Sequence, residues 1–362
     1  MTKTKTTTPR WAMALACGIV GLGAQTGLGA YTGIDAQTTP SGVRVERLLD
    51  APIIAPGLHP SIGENIQGPS VIRVPEWIEY RLGAYYLYFA DHKGTYIRLA
   101  YADDLLGPWR IHAPGSLQIA ESYFATAPPE VTPEEEARLR ALPSDLGHDR
   151  FVEATTPHIA SPDVHVDDEN RRIVLYYHGL EGVSRQRSRA ATSNDGIHFE
   201  AHPETLGRTY MRAIQHDGYT YIMSMPGQFY RSRQSLSGFE EGPRLFNADM
   251  RHAALLKRDD TLYVFWTQKG HAPEHIMLST IDISRDWTTW SETPGVEVLR
   301  PEFDWEGADA PVEPSVRSTA YGHVNQLRDP AIYEDVDSGR IYLLYAVAGE
   351  SGIAIAEVHL DR

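Results

Sequence analysis

Asp329-Pro330-Ala331-Ile332-Tyr333, followed by the run from Ile341 to Val347, is the last of five similar stretches in this chain. The others open at Gly68-Pro69-Ser70-Val71-Ile72, Ser161-Pro162-Asp163-Val164-His165, Tyr210-Met211-Arg212-Ala213-Ile214 and Arg251-His252-Ala253-Ala254-Leu255. Each opening leads to a second run of aromatic and branched residues: Tyr85 to Ala90, Ile173 to Tyr177, Thr220 to Met225 and Thr261 to Thr267. A unit of roughly 40 to 50 residues made of short strands is the signature of a propeller blade. Five copies predict an all-β, five-bladed β-propeller with a four-stranded antiparallel sheet in each blade. The first strand of every blade then lines one axis, so residues distant in sequence meet in one funnel.

Composition agrees with that reading. The 362 residues include 19 Tyr, 30 Gly and 24 Pro, the mixture expected of many short strands joined by tight turns. Radial repetition lets one fold exceed the usual size of a single core. The helical exception is Thr132-Pro133-Glu134-Glu135, a capping box with Pro at the first helical position, which opens a helix through Leu142. It lies in an insertion, residues 113–157, between blades one and two, and long insertions often cover a site.

Residues 1–30 read as an export signal. Lys3, Lys5 and Arg10 precede an apolar stretch from Trp11 to Leu22, too short for a comfortable membrane span, and small residues follow from Ala24 to Ala30. The expectation is a secreted or periplasmic protein, with a lipid anchor at Cys17 as the alternative. Cys17 is the one cysteine, so the mature chain offers neither a disulfide nor a thiol nucleophile. Residues 31–60 form an amino-terminal segment whose strand-like run 43–48 is expected to close the last blade, and residues 61–362 form the propeller. The formal charge is −15, and losing the leader's Lys3, Lys5 and Arg10 takes it to −18, which argues against nucleic acid or anionic membrane as partners.

Two further stretches carry a family resemblance. Tyr85-Tyr86-Leu87-Tyr88-Phe89-Ala90 is followed by Ile97 to Ala102 and the turn Asp103-Asp104-Leu105-Leu106-Gly107-Pro108-Trp109, and blade two holds Ser193-Asn194-Asp195-Gly196-Ile197-His198-Phe199. Across residues 60–359 the chain resembles the five-bladed propellers of glycoside hydrolase families 43, 32 and 117. The resemblance implies a sugar-cleaving site on the axis. Family 43 implies an Asp before Pro on blade one as general base, a second Asp on blade two and a Glu acid on blade three. The five openings here place Gly68, Ser161, Tyr210, Arg251 and Asp329 in that register, so only Asp329 has a carboxylate there. What the resemblance implies is therefore the location of the site, not its triad.

The residues themselves suggest candidates. An inverting hydrolase pairs two carboxylates about 6.5–9.5 Å apart, and Asp163 with Asp329 is the leading pair. Glu313 and Glu350 are reserve acids. His165 and His252 are candidate proton carriers near neutral pH. Substrate contacts are expected from His92, Lys93, His178, Tyr210, Arg212, Arg251 and Arg328, whose cations suit a carboxylate or sulfate on the sugar, and from Trp305, which could stack on a sugar face. With Tyr210 and Arg212, the histidines could instead build a lyase acting on a uronate. A glycan-binding propeller without catalysis is the third reading. No catalytic metal or organic cofactor is expected, and at most a structural oxygen-ligated cation on the axis.

Overall fold

The computed structural model describes residues 34–38, 42–142 and 149–360, the first of these segments as backbone only. The leader and Cys17 lie outside the described residues. Five antiparallel sheets are present. Blade one holds β3 (Gln67–Arg73), β4 (Tyr85–Ala90), β5 (Tyr96–Ala102) and β6 (Arg110–Gln118). Blade two holds β7 (Ile159–Asp167), β8 (Arg172–Gly182), β9 (Arg185–Ser193) and the short β10 (Glu200–Ala201). Blades three and four run β11 (Arg212–His216) to β14 (Glu240–Arg244) and β15 (Met250–Arg258) to β18 (Val296–Leu299). In blade five β19 (Arg328–Glu334), β20 (Ile341–Ala346) and β21 (Ile353–Leu360) are joined by β2 (Val43–Arg47) and β1 (Ile34–Thr38) from the amino-terminal side.

The order within each blade follows from burial. The second strands carry the aromatic runs and are packed on both faces: Tyr86, Leu87, Tyr88, Phe89 and Ala90 are all fully buried, as are Leu343, Leu344 and Tyr345. The first strands are edge strands turned to the axis, and neighbouring first strands touch there: β19 with β3, β3 with β7, β11 with β15, and β15 with β19. Edge position explains how they tolerate proline, which cannot donate to a ladder. Pro69, Pro162 and Pro330 fall at interruptions of register in β3, β7 and β19. The residue before each is left-handed, with φ of 64° at Gly68, 50° at Ser161 and 49° at Asp329. Tyr210, just before β11, has φ 60°. For the three non-glycine residues this costs on the order of 1–3 kcal/mol each and re-aims the side chain.

The ends meet in one sheet. β2 pairs antiparallel with β21 from Val43 opposite Leu360 to Arg47 opposite Ala356. Arg47 is 2% exposed and donates to Glu306 at 2.8 and 2.9 Å, to Glu302 at 2.8 Å and to the Arg300 carbonyl at 2.7 Å. The strand from near one terminus is thus tied to the 300–327 connection as well as to blade five.

Two details differ from the sequence expectation. β6 continues to Gln118, so the insertion begins at residue 119 and not at 113, because Ser116 and Leu117 remain packed on β5. The capped helix α1 (Pro133–Arg140) stops before Leu142, and a second helix, α2 (Arg150–Thr155), follows it. Among the described residues no helix is long and apolar enough to cross a membrane.

Candidate active site

A cavity of about 940 Å³ opens on the axis. Its floor is made by the starts of the inner strands: Gln67, Ser161, Tyr210, Arg251 and His252. One wall comes from His92 and Lys93 after β4, from His178 on β8, and from Arg150, Glu153 and Ala154 of α2. The lining also includes Arg185 and Arg187 of β9, next to His178 and α2, together with Arg208, Arg317 and Ser318. Among the described residues, seven cations and a single carboxylate, Glu153, therefore face this cavity in an acidic protein. Such a site concentrates anions by its local field, whatever the net charge.

At the floor, Tyr210 stacks on His252, with ring centres 4.7 Å apart and planes inclined by 30°. The Asp329 backbone N–H donates to His252 Nδ1 at 3.3 Å, which leaves the ring proton on Nε2. His252 Nδ1 also lies 3.3 Å from the Asp329 carboxylate. Asp329 is 1% exposed and neither of its side-chain oxygens has a hydrogen bond of good geometry. The Tyr210 hydroxyl stands within reach of Asp329 and Arg212, again without a hydrogen bond of good geometry.

These surroundings set the charges. Burial first, and then the Glu350 charge, push the Asp329 carboxyl up to about 6, against the pull of Arg251 and Arg328. Burial, helped by the Arg251 and Arg328 charges, drives His252 well below its ordinary value, so it is a neutral donor. Burial does the same to His178, and takes His158 beside it to about 3. Lys93 is lowered by burial and partly restored by Glu153, whose carboxylate is 3.8 Å away.

No protein-family model matches the chain. Uncharacterized protein R118 of Acanthamoeba polyphaga mimivirus is 36% identical over 320 residues, covering 81% of this chain and 83% of the viral one. The chain belongs to the R118 family. Solved structures of similar fold include an endo-1,4-β-xylanase from Bacteroides thetaiotaomicron VPI-5482, with TM-score 0.50, 13% identity and coverage of 81% of this chain and 89% of that one. A family 43 β-xylosidase/α-arabinofuranosidase from a compost metagenome, in complex with xylotriose, matches with TM-score 0.50 and 12% identity over 85% of this chain and 94% of its own. These neighbours are five-bladed glycoside hydrolases, and at such identities they establish the fold of the R118 family member, not its chemistry.

Within this R118-family chain, the axis gathers some of the residues expected there and separates others. His92, Lys93, His178, Tyr210, Arg251 and His252 line the cavity, with Asp329 directly behind the stacked pair. Asp163 does not: its carboxylate accepts from His165 Nε2 at 2.7 Å and from the Ala213 N–H at 2.8 Å, pinning blade two to blade three. Burial would raise Asp163, but His165, Arg212 and Ala213 outweigh it and hold it low. His165 opens on a different cavity, lined also by Asp167, His202 and Gln215. Strand alternation put Asp163 and Ser161 on one face, but the register break between Ala160 and Asp163 upsets that count.

Arg212 and Arg328 are structural pins. Arg212 donates to the Ala253 and Pro162 carbonyls at 3.0 Å and lies 4.4 Å from the Tyr210 ring centre. Arg328, fully buried, donates to Glu350 at 2.8 Å and to the Ser318 carbonyl at 3.0 Å, with Glu274 at 3.3 Å. Glu350 also accepts from Asn65 at 2.8 Å. Burial would raise it, but His92, Arg328 and Asn65 hold it at about 2, so it is no reserve acid. Glu313 is exposed on the 300–327 connection. Trp305 is stacked flat on Phe303, ring centres 5.8 Å apart, and packs against the core of blades four and five. Among the described residues no three His, Cys, Asp or Glu side chains are grouped to hold a metal, and the axial carboxylates Glu274 and Glu350 are each engaged by arginines.

Sequence reasoning missed Glu153, Gln67, Glu274 and the lining residues Arg150, Arg185, Arg187, Arg208 and Arg317, and it passed over His271 and His275, spaced like metal ligands, whose rings stack 4.4 Å apart. The insertion itself was a signal for Glu153. Nothing in the local text marks Gln67 or Glu274.

Proposed function

We propose that this protein is a glycoside hydrolase-type enzyme that cleaves a glycosidic bond in an anionic oligo- or polysaccharide. The observation that carries the reading is Asp329: a strained, buried axial carboxyl without a well-formed hydrogen bond and raised to about 6, behind the floor of a cavity walled by cations. A carboxyl that exchanges its proton near neutrality suits general acid catalysis. Asp329 also holds the Asp-before-Pro place that the family resemblance marks as functional, one blade removed.

In this reading the cationic wall neutralises the substrate's anionic group, and the neutral His252 Nε2–H donates to a sugar oxygen. Asp329 gives its proton to the leaving oxygen through the adjacent Tyr210 hydroxyl, which passes one proton on as it receives another. Glu153, the one acid on the wall among the described residues, then takes a proton from the attacking water. The xylotriose complex of the compost enzyme supports a saccharide as the kind of ligand such a fold receives.

The test is turnover on a panel of anionic and neutral oligosaccharides, with products weighed by mass spectrometry. Products that together gain one water, lost in Asp329→Asn with saccharide affinity retained, are expected. Products lighter by one water would replace hydrolysis with elimination. Binding of a glycan without turnover of any panel member would leave only a binding propeller.

A further inference from the structure

We infer that the outer lining of the axial cavity is a track for further anionic units of a saccharide chain, so that the substrate is a polyanion, charged on more than one unit. This deepens the reading above and rests on it for the saccharide. The deeper cations are largely compensated by the protein itself: Arg251 by Glu274 at 3.1 Å and Lys93 by Glu153 at 3.8 Å. Farther out the compensation stops. Arg187, Arg208 and Arg317 line the same cavity, the first half-buried and the other two exposed, and none has a carboxylate partner among the described residues. Arg187 Nη1 donates to the Gln186 carbonyl at 3.0 Å and Arg317 Nη2 to the Ala248 carbonyl at 2.7 Å, which occupies a donor without neutralising the charge.

A single unpaired arginine on a surface is ordinary. Three on one cavity are not, in a chain with 48 Asp and Glu against 33 Lys and Arg, where arginines away from the cavity such as Arg172, Arg231 and Arg340 are matched by Asp167, Glu240 and Glu357. The backbone holds two of the three side by side. The buried Ser188 donates its N–H to the Gly207 carbonyl at 3.1 Å and its hydroxyl to the Arg208 carbonyl at 2.7 Å, so Arg187 and Arg208 stand on neighbouring segments. Arg317 follows Val316, whose carbonyl accepts from Arg251 at 2.9 Å, and so sits on the blade-four side. Like charges gathered at one opening repel one another, and their summed field draws in a chain of negative groups. Exposed ion pairs are individually weak, so such a lining gains affinity only from a ligand that engages several at once. A guanidinium fork suits carboxylate and sulfate alike.

Titration calorimetry on the full chain, with Asp329→Asn wherever the ligand is consumed, tests this with oligogalacturonates, sulfated galacto-oligosaccharides and neutral galacto-oligosaccharides of two, four and six units. At about 0.05 M salt the six-unit member of at least one anionic series should bind at least about tenfold more tightly than its two-unit member. That gain should vanish in about 1 M salt, where the screening length is about 3 Å. Arg187→Gln combined with Arg208→Gln, and separately Arg317→Gln, should each cut the gain to less than about threefold. Arg317→Gln decides the matter if the double variant unfolds. Affinity that does not grow with length in either anionic series, an equal gain along the neutral series, or a gain that the variants leave intact overturns the track. An oligonucleotide of equal charge that binds as tightly as the six-unit saccharide overturns its assignment to sugar. Length-dependent binding without cleavage of any saccharide would sink the glycosidase reading and leave the track standing, whereas cleavage of neutral saccharides alone would do the reverse.

Discussion

Asp329→Asn should stabilise the protein while abolishing its chemistry, and the gain should depend on pH in a calculable way. The folded chain holds the Asp329 proton up to about pH 6, whereas the unfolded chain releases it near the ordinary value of 3.8. Between those values the folded state binds more protons than the unfolded one, so wild-type stability falls as pH rises through the window. A displacement of about 2 pH units at about 1.4 kcal/mol each corresponds to ~3 kcal/mol, absent below about pH 4 and complete above about pH 6. Asparagine keeps the shape without the charge. Urea unfolding of both proteins from about pH 3 to 8 should show the variant gaining ~3 kcal/mol on the wild type across that window, while turnover drops roughly 10²–10⁴-fold. A stability difference that stays flat with pH would refute the buried, weakly compensated state of Asp329 and the role built on it.

Glu350→Gln should do the opposite: Glu350 is held at about 2, so its stabilisation is present above the ordinary carboxylate range and is lost as pH falls toward 2, and removing its charge takes from Arg328 its 2.8 Å partner while Glu274 stays at 3.3 Å, at a cost of about 1–3 kcal/mol by denaturant titration at pH 7. Arg47→Met should cost ~3–5 kcal/mol, because Glu306 loses its buried partner and the latch of β2 is broken, with product masses from any surviving activity unchanged. Asp163→Asn should lower the unfolding midpoint but change kcat less than about tenfold, since its carboxylate is spent on His165 and Ala213 and does not reach the cavity. Trp305→Ala should leave saccharide affinity untouched in titration and register only as lost packing of about 3–5 kcal/mol.

The parts of the site that could be read from the text were those carried by the repeat. Tyr210, Arg251, His252 and Asp329 stand at equivalent starts of successive blades, so aligning the openings was enough to send them to one axis. Glu313 and Trp305 were chosen for their chemistry alone, in a connection with no repeat to place them, and they lie elsewhere. Asp163 failed for a subtler reason: the inner strands break register next to their prolines, which shifts which side chains reach the cavity. Arg212 and Arg328 do stand near the axis, but carbonyls and carboxylates from distant parts of the chain claim most of their donors, and those partners leave no local mark.

By itself the sequence determined the number of blades, their strand order and the axial gathering of blade starts, because strand patterning and turn chemistry act over a few residues and repeat in plain text. Only the tertiary structure decided which of the gathered groups are committed and which are free. That distinction depends on burial and on partners such as Glu274, which engages Arg251 and Arg328, and Asn65, which engages Glu350, far away along the chain, and the energy of an ionisable group is set by everything packed around it.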